Sequence, residues 1–508
     1  MPQSYLKRIL TASVYDVARE TPLDEALMMS ERLHNRVWFK REDLQSVFSF
    51  KLRGAYNKMQ KLTPEQRARG VVAASAGNHA QGVAVSAARL GVKATIVMPA
   101  TTPAIKVDAV RRRGARAVLI GDTYDEASAH AQKLVQEKNM VYVHPYDDPD
   151  VIAGQGTVGM EILRQHEGPV EAVFVPVGGG GLLAGVLTYI KAVRPEIKVI
   201  GVEPEDANCL QVALAKGRRV TLKEVGLFAD GTAVAQVGKE TFRVVRDLVD
   251  EVLTVSTDEI CAAIKDIFED TRSIAEPSGA LALAGLKNYV AREGMEGKDL
   301  IAIVSGANTN FDRLRYISER TEFGEQREAI ISVTIPERPG SFLAFCKLLD
   351  RNNITEFNYR YSTPADAQVF VGLQIKPGTD DLPRLLAKLE DKGYVAEDMT
   401  QNEMAKLHVR HMVGGHAPEG LANERLFRME FPERPGALAR FLACLGSRWN
   451  ISLFHYRNHG AAYGRVLVGV QVSPADSKDF ARRLDELDYR YWEETDNQAY
   501  KLYLSAKS

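Results

Sequence analysis

The sequence predicts a two-part molecule: an α/β region of parallel sheet with flanking helices, followed by two tandem ferredoxin-like α+β units. Three observations predict it. Up to about residue 320, short β-branched runs alternate with helical patterns, as in sheets covered by helices. Beyond that point the chain repeats itself at a spacing of 96 to 97 residues. Finally, 508 residues exceed the roughly 250 to 300 at which one core stops growing, so two or three domains are expected.

The first residues, Met1-Pro2-Gln3-Ser4-Tyr5-Leu6-Lys7-Arg8, lack the apolar core of a secretory leader and read as a helix start, so a cytoplasmic location is expected. Strands are predicted at Gly70–Ala74, Ala94–Met98, Ala117–Ile120, Val173–Val175, Val199–Val202 and Ile301–Val304. Between the first two, Val83, Ala84, Ala87 and Leu90 share one face of a helix over Gln81–Leu90. Ala172 to Ile190 carries no charge and is long enough to span a bilayer. Pro176 and the glycines Gly178 to Gly181 in its middle instead predict strand, turn, helix.

With 65 Lys+Arg against 66 Asp+Glu, the formal net charge is −1, which gives no global field for nucleic acid or an anionic membrane. Small-molecule partners are expected. Cys209, Cys261, Cys346 and Cys444 are isolated, with no CxxC spacing, and read as buried reduced thiols rather than a metal site or disulfide framework.

Ligands of open α/β sheets sit at the carboxyl ends of the strands, and that rule selects the motifs. After the first run comes Ser75-Ala76-Gly77-Asn78-His79, whose free backbone N–H groups could hold a carboxylate. His79 reads equally as a base or as a structural hydrogen-bonder. After the fourth comes Gly178-Gly179-Gly180-Gly181-Leu182, where glycines let the backbone wrap an anion at a helix N-terminus, with a phosphate as its natural occupant. The last run leads to Ser305-Gly306-Ala307-Asn308. Glu276 opens a further helix, where a carboxylate could serve only the helix dipole.

Upstream, Ser49-Phe50-Lys51-Leu52-Arg53-Gly54-Ala55 sets one lysine between an aromatic ring and a glycine. A nucleophilic lysine needs its ammonium form disfavoured, which burial and a nearby cation such as Arg53 would both do. The plain alternative is solvated surface charge. A second alternative concerns the glycines: Gly179-x-Gly181-x-x-Ala184 with Glu203 19 residues on matches a dinucleotide fingerprint, which would make the chain an NAD-dependent dehydrogenase.

Together, in order and spacing, the lysine turn, asparagine loop, tetraglycine loop and serine turn resemble the fold type II (tryptophan synthase β-like) family of pyridoxal-phosphate enzymes. The longer match, Trp38-Phe39-Lys40-Arg41-Glu42-Asp43-Leu44 through Arg53-Gly54-Ala55-Tyr56, is similar to its threonine and serine deaminase branch. The resemblance implies pyridoxal 5'-phosphate held by Lys51, stacked on Phe50, with its 3-hydroxyl bonded by Asn78. It further implies that Gly178, Gly179, Gly180, Gly181 and Leu182 hold the phosphate, that Ser305 meets the ring nitrogen, and that Ser75, Ala76, Gly77, Asn78 and His79 hold the substrate carboxylate. A serine does not keep the ring nitrogen protonated, which limits racemisation and suits β-elimination, with Lys51 removing the α proton. Serine racemase, a relative, places a second acid/base serine where this chain has Ala76. Its metal site pairs a glutamate with an aspartate, where this chain has Glu203 and Cys209. No metal is expected.

In the repeat, Pro336-Glu337-Arg338-Pro339-Gly340 recurs as Pro432-Glu433-Arg434-Pro435-Gly436, and Asn353-Ile354 through Tyr359-Arg360 as Asn450-Ile451 through Tyr456-Arg457. Each copy predicts strand, turn, helix, strand, strand, helix, strand, a βαββαβ unit. The expected divisions are 1–320, 321–413 and 421–508, with a glycine-rich spacer at 414–420. The copies resemble ACT-like regulatory domains, which bind amino acids where a strand-to-helix turn meets a neighbour; the bland alternative is that they only pack an oligomer. The resemblance implies L-threonine conversion to 2-oxobutanoate and ammonia, with L-serine giving pyruvate, as the committed step of isoleucine synthesis. Isoleucine would inhibit and valine oppose it, in a homo-oligomer, a tetramer. A catabolic serine/threonine deaminase would lack the duplicated tail.

Overall fold

The structure is a computed structural model that describes residues 2–338, 340–349, 354–361, 365–376, 379, 381–412, 414, 416–418, 421–432, 437–446, 448–457 and 463–505. It divides into two compact units, Met1–Gly324 and Glu325–Ser508.

The first unit contains β1 (Leu23–Glu25), β2 (Arg36–Arg41), β3 (Val71–Ala74), β4 (Ala94–Met98), β5 (Arg116–Leu119), β6 (Val141–Tyr142), β7 (Ala172–Pro176), β8 (Lys198–Pro204), β9 (Glu251–Val255) and β10 (Asp299–Val304). They form two sheets, β1-β2-β10-β7-β8-β9 and β5-β4-β3-β6. All neighbours run parallel except β1, which pairs with β2 antiparallel. The six predicted strands are present, each shifted by no more than two residues at either end. In β7 every residue is buried: Val173 and Val175 join one core, Ala172 and Phe174 the core on the opposite face. That two-sided burial is why parallel strands read as continuous apolar runs rather than alternating ones. The uncharged stretch is strand β7, a glycine turn and the helix Gly181–Val193. Among the described residues no helix is long and apolar enough to cross a membrane.

β2 escaped the sequence reading because its second half is charged. Lys40 and Arg41 are buried in a strand flanked by β1 and β10, and their charges are met by carboxylates rather than water.

The second unit contains β11 (Glu328–Pro336), β12 (Ile354–Arg360), β13 (Asp366–Gln374) and β14 (Val395–Asp398), then β15 (Glu424–Pro432), β16 (Asn450–Arg457), β17 (Tyr463–Gln471) and β18 (Arg490–Glu493). The helices Ser341–Leu349, Asp381–Asp391, Ala437–Leu445 and Ser477–Leu487 complete two βαββαβ units. The predicted turn residues Pro339, Glu433, Arg434, Pro435 and Gly436, and Asn353 and much of the spacer, lie outside the described residues. The copies are not separate sheets. β12 pairs antiparallel with β16, Phe357 opposite Tyr456 and Tyr359 opposite Phe454, giving one eight-stranded sheet β14-β11-β13-β12-β16-β17-β15-β18. Phe345, Phe357, Phe427, Phe441 and Phe454 lie in one core that runs through both copies.

Candidate active site

The helix Lys51–Gln60 starts without a side-chain cap of its own at Phe50; Ser49 Oγ instead accepts from the Lys51 amide at 3.2 Å. The backbone of Phe50 donates to the carbonyl of Ser305 at 3.3 Å, and Ser49 bridges to Gly306. The lysine turn is therefore stitched to the end of β10. Lys51 Nζ donates to the carbonyl of Pro145 at 3.3 Å and lies 5.2 Å from the centroid of the Phe50 ring. Burial pulls its pKa down to about 8, partly opposed by the Glu276 carboxylate. Arg53 is not the perturbing cation that the sequence suggested. It is fully buried and bound to Glu42 and Glu161, so burial alone lowers the lysine.

Next to Pro145, the Tyr146 ring lies on the glycine turn. A Cβ at Gly179 would fall 2.3 Å from three of its ring carbons, and one at Gly178 would meet the Thr232 backbone at 2.9 Å. Gly180 has φ +87°, a conformation costly for any side chain. The turn is held from below, Thr241 Oγ1 donating to the Gly179 carbonyl at 2.7 Å. Leu182 is buried one residue into the following helix. A glycine cradle at the amino end of a thirteen-residue helix, beside a half-buried, easily deprotonated lysine, fits a phosphate-bearing aldehyde cofactor.

The asparagine loop leaves β3 and opens the helix Asn78–Leu90. Asn78 Nδ2 donates to Glu276 Oε1 at 2.6 Å, and its Oδ1 accepts from Asn308 Nδ2 at 2.6 Å. Glu276 Oε2 accepts from the Asn308 amide at 3.1 Å. Ser75 Oγ accepts from the Gly77 amide at 3.2 Å; Ala76 is partly buried, and nothing stands within 4 Å of where a Gly77 Cβ would lie. His79 is a wall rather than an arm: its buried ring donates from Nε2 to the Val143 carbonyl at 2.8 Å, and burial drives its pKa to about 3, so it stays neutral. Ser305 is buried and donates to the Ser278 carbonyl at 3.3 Å.

Glu276 is more than a helix-dipole partner. It is 4% exposed, and burial, reinforced by Asp230, raises its pKa to about 7. Nothing local in the sequence marks it, because its partners lie on loops nearly 200 residues upstream and about 30 downstream. Tyr146 was missed for the same reason, and Asn308, quoted with the serine turn, was given no role. Glu203 spends both oxygens capping the helix Cys209–Ala215, accepting from the Leu210 and Gln211 amides at 2.8 Å each. The dinucleotide reading is left without its ribose carboxylate.

Comparison with known proteins agrees with the geometry. Residues 14–306 match the pyridoxal-phosphate dependent enzyme family, and 319–409 and 415–504 each match the C-terminal regulatory domain of threonine dehydratase. The biosynthetic L-threonine dehydratase of Burkholderia multivorans is 58% identical over 99% of both chains. The chain belongs to the biosynthetic threonine dehydratase family. By class it is a pyridoxal-phosphate-dependent lyase, a threonine ammonia-lyase. The Escherichia coli biosynthetic enzyme is 54% identical over 99% of this chain and 97% of its own. Among solved structures, the processed threonine deaminase isoform 2 of Solanum lycopersicum superposes with TM-score 0.62 at 50% identity, covering 63% of this chain and 93% of that one. A serine racemase from Dictyostelium discoideum, at 32% identity and TM-score 0.56, shares the catalytic fold over 60% of this chain and 99% of its own.

Proposed function

We propose that this chain converts L-threonine to 2-oxobutanoate and ammonia, and L-serine to pyruvate, as the committed step of isoleucine synthesis. The observation that carries this reading is Lys51, half-buried and with its pKa near 8, bonded to the Pro145 carbonyl while the next residue, Tyr146, lies on the glycine turn. Pyridoxal phosphate, when bound, supplies the electron sink that makes the substrate α proton acidic. Lys51 would hold the cofactor, Phe50 would cover its ring, Gly178 to Gly181 and Leu182 its phosphate, and Ser305 its ring nitrogen. Asn78 would orient its 3-hydroxyl, its amide fixed by Glu276 and Asn308.

Once substrate displaces it, Lys51 Nζ takes the α proton; an amine with a pKa near 8 is partly unprotonated at neutral pH, as a general base must be. The Ser75–His79 loop holds the substrate carboxylate with backbone N–H groups. The β-hydroxyl would leave as water with a proton that balances the one Lys51 took, and the dehydrated amino acid, once released, would take up water to give the 2-oxoacid and ammonia. Ser305, a neutral hydroxyl rather than a carboxylate, would not hold the ring nitrogen protonated, a milder electron sink that would suit elimination.

For the regulatory unit, isoleucine inhibits and valine opposes it, in a cytoplasmic homotetramer. The pocket that favours an amino-acid effector lies at the first strand-to-helix turn of copy 1, closed by the copy-2 helix Ala437–Leu445 and Trp449. Glu337 accepts from Tyr359 Oη at 2.6 Å and from Asn450 Nδ2 at 3.2 Å, and offers a carboxylate for an ammonium group. Trp449 lines the same pocket, and its buried Nε1 has no hydrogen-bond partner among the described residues, which leaves a donor for a carboxylate should the ring turn toward the pocket. Phe342, Leu442 and Leu445 give an apolar wall for a branched side chain. The test is 2-oxobutanoate release from threonine with and without isoleucine. Turnover that falls and turns sigmoidal supports the reading; a rate unchanged across millimolar isoleucine refutes the regulation, and no turnover refutes the activity.

A further inference from the structure

Behind the lysine helix lies a cluster of charge that the reaction does not use. Lys40, Glu42, Arg53 and Glu161 are all 0% exposed, and their charges cancel. Arg53 spends every donor. Nε and one terminal nitrogen grip Glu42 at 2.8 and 2.7 Å, both terminal nitrogens grip Glu161 at 2.5 and 2.9 Å, and further bonds reach Thr157 Oγ1 and the Arg19 carbonyl at 3.1 Å. Lys40 Nζ completes the cluster, donating to Glu161 at 2.7 Å and to Gln165 Oε1 at 2.9 Å. Thr21 and Tyr15 hydroxyls donate to Glu42 and Glu161 at 2.6 and 2.9 Å. Four separate segments therefore meet on one guanidinium: the N-terminal arm, the end of β2 with its 3-10 turn, the lysine helix and the helix Pro149–Gln165.

Buried ion pairs are a poor device for stability, because apolar residues of similar volume often do as well or better. They are good at fixing a register, and here the register that matters is rotational. Lys51 and Arg53 are two residues apart, about 200° around the helix, so one faces the crevice and the other faces away. The helix packs on its neighbours through glycines: a Cβ at Gly82 would meet the Leu52 backbone at 3.0 Å, and one at Gly154 would meet the Arg53 carbonyl at 2.6 Å. Such smooth contacts set distance, and rotation about the axis falls to directional bonds: the Phe50 amide on the Ser305 carbonyl at the start of the helix, Asn57 Nδ2 on the Asp150 carbonyl further along, and the Arg53 guanidinium with six bonds on the face opposite Lys51. A lysine Nζ stands roughly 8 to 9 Å from that axis, so a 10° turn moves it roughly 1.5 Å. Displacements of that size can cost about a hundredfold in rate.

We propose that Arg53, clamped by Glu42 and Glu161, is a positioning residue that fixes the rotation of the Lys51 helix and so aims Nζ at the cofactor aldehyde. It rests on the reading of Lys51 as the cofactor-bearing group. Arg53→Lys keeps the charge and loses the fork. The measurement is the rate at which the full-length protein, stripped of cofactor, captures added pyridoxal phosphate. Capture is followed by absorbance and by borohydride fixation with peptide mapping, beside kcat and KM for threonine on the reloaded enzyme. The expected result is capture at least tenfold slower and kcat per loaded protomer down 10- to 100-fold, with KM within threefold. A merely stabilising role would lower the unfolding midpoint and leave capture rate and kcat within twofold, which overturns the proposal. Should Arg53→Lys not fold, Thr157→Val decides, since it removes one Arg53 contact without changing volume. At least threefold slower capture is expected, and an unchanged rate overturns the proposal. A wild-type label that maps away from Lys51 refutes the underlying reading instead, so the two failures are distinguishable.

Discussion

Replacing Glu276 by glutamine isolates the energetic consequence of burying that carboxyl. Its pKa rises from 4.5 to about 7 on folding. The sign follows: between those values the folded state holds a proton that the unfolded state has lost, so raising the pH destabilises the fold. Well below pH 4.5 the penalty vanishes, at pH 5 it is about 0.8 kcal/mol, and it levels off about a unit above pH 7. Between pH 5 and pH 8 the wild type should lose about 2.5 kcal/mol that glutamine, which does not titrate, keeps. Glutamine still accepts from Asn78 but turns an N–H toward the Asn308 amide, a pH-independent loss of about 1 kcal/mol. The assay is urea unfolding of the cofactor-free protein, followed by Trp38, which lies in the first unit. The other two tryptophans, Trp449 and Trp492, would be replaced by phenylalanine. Glu276→Gln should match the wild type within about 0.5 kcal/mol at pH 5 and be about 2 kcal/mol more stable at pH 8. A stability difference flat within about 0.5 kcal/mol across that range would refute the assignment of a buried, proton-holding Glu276.

Three further outcomes are expected. Lys51→Ala should abolish both the bound chromophore and threonine turnover, measured by absorbance and 2-oxobutanoate release; retained turnover would remove Lys51 from the mechanism. Gly179→Ala places a Cβ 2.3 Å from the Tyr146 ring carbons, so ring or turn must shift; pyridoxal phosphate Kd should rise at least tenfold in a spectroscopic titration. Glu337→Ala should leave basal kcat within twofold while raising the isoleucine concentration for half-inhibition at least tenfold; unchanged sensitivity would place the effector elsewhere.

Much of the catalytic region was legible because its signals are local. A parallel strand buried on both faces must be a short apolar run, as β7 and β10 are, and each motif sits within a few residues of its strand's end. β2 was not legible, since a strand ending in Lys40 and Arg41 looks solvent-facing until their carboxylate partners are found. Glu276 and His79 were ambiguous for a related reason. A carboxylate at a helix start and a histidine near a turn have several roles, and only their neighbours choose among them. The repeat showed two βαββαβ units but not their union, because edge-to-edge pairing of β12 with β16 depends on which strand each copy leaves at its edge.

The sequence alone thus determined the class of fold and the duplicated tail, and singled out the lysine and the glycine turn as candidates, all from periodicity, self-similarity or backbone freedom within one stretch. The tertiary structure decided which charges are buried, and hence their protonation. It turned Arg53 from a supposed perturber of Lys51 into the anchor behind it, made Glu276 a proton holder, and gave Glu203 to a helix cap. The physical reason is that a charge's energy is set by the dielectric and partners around it, and those arrive from segments distant in the chain.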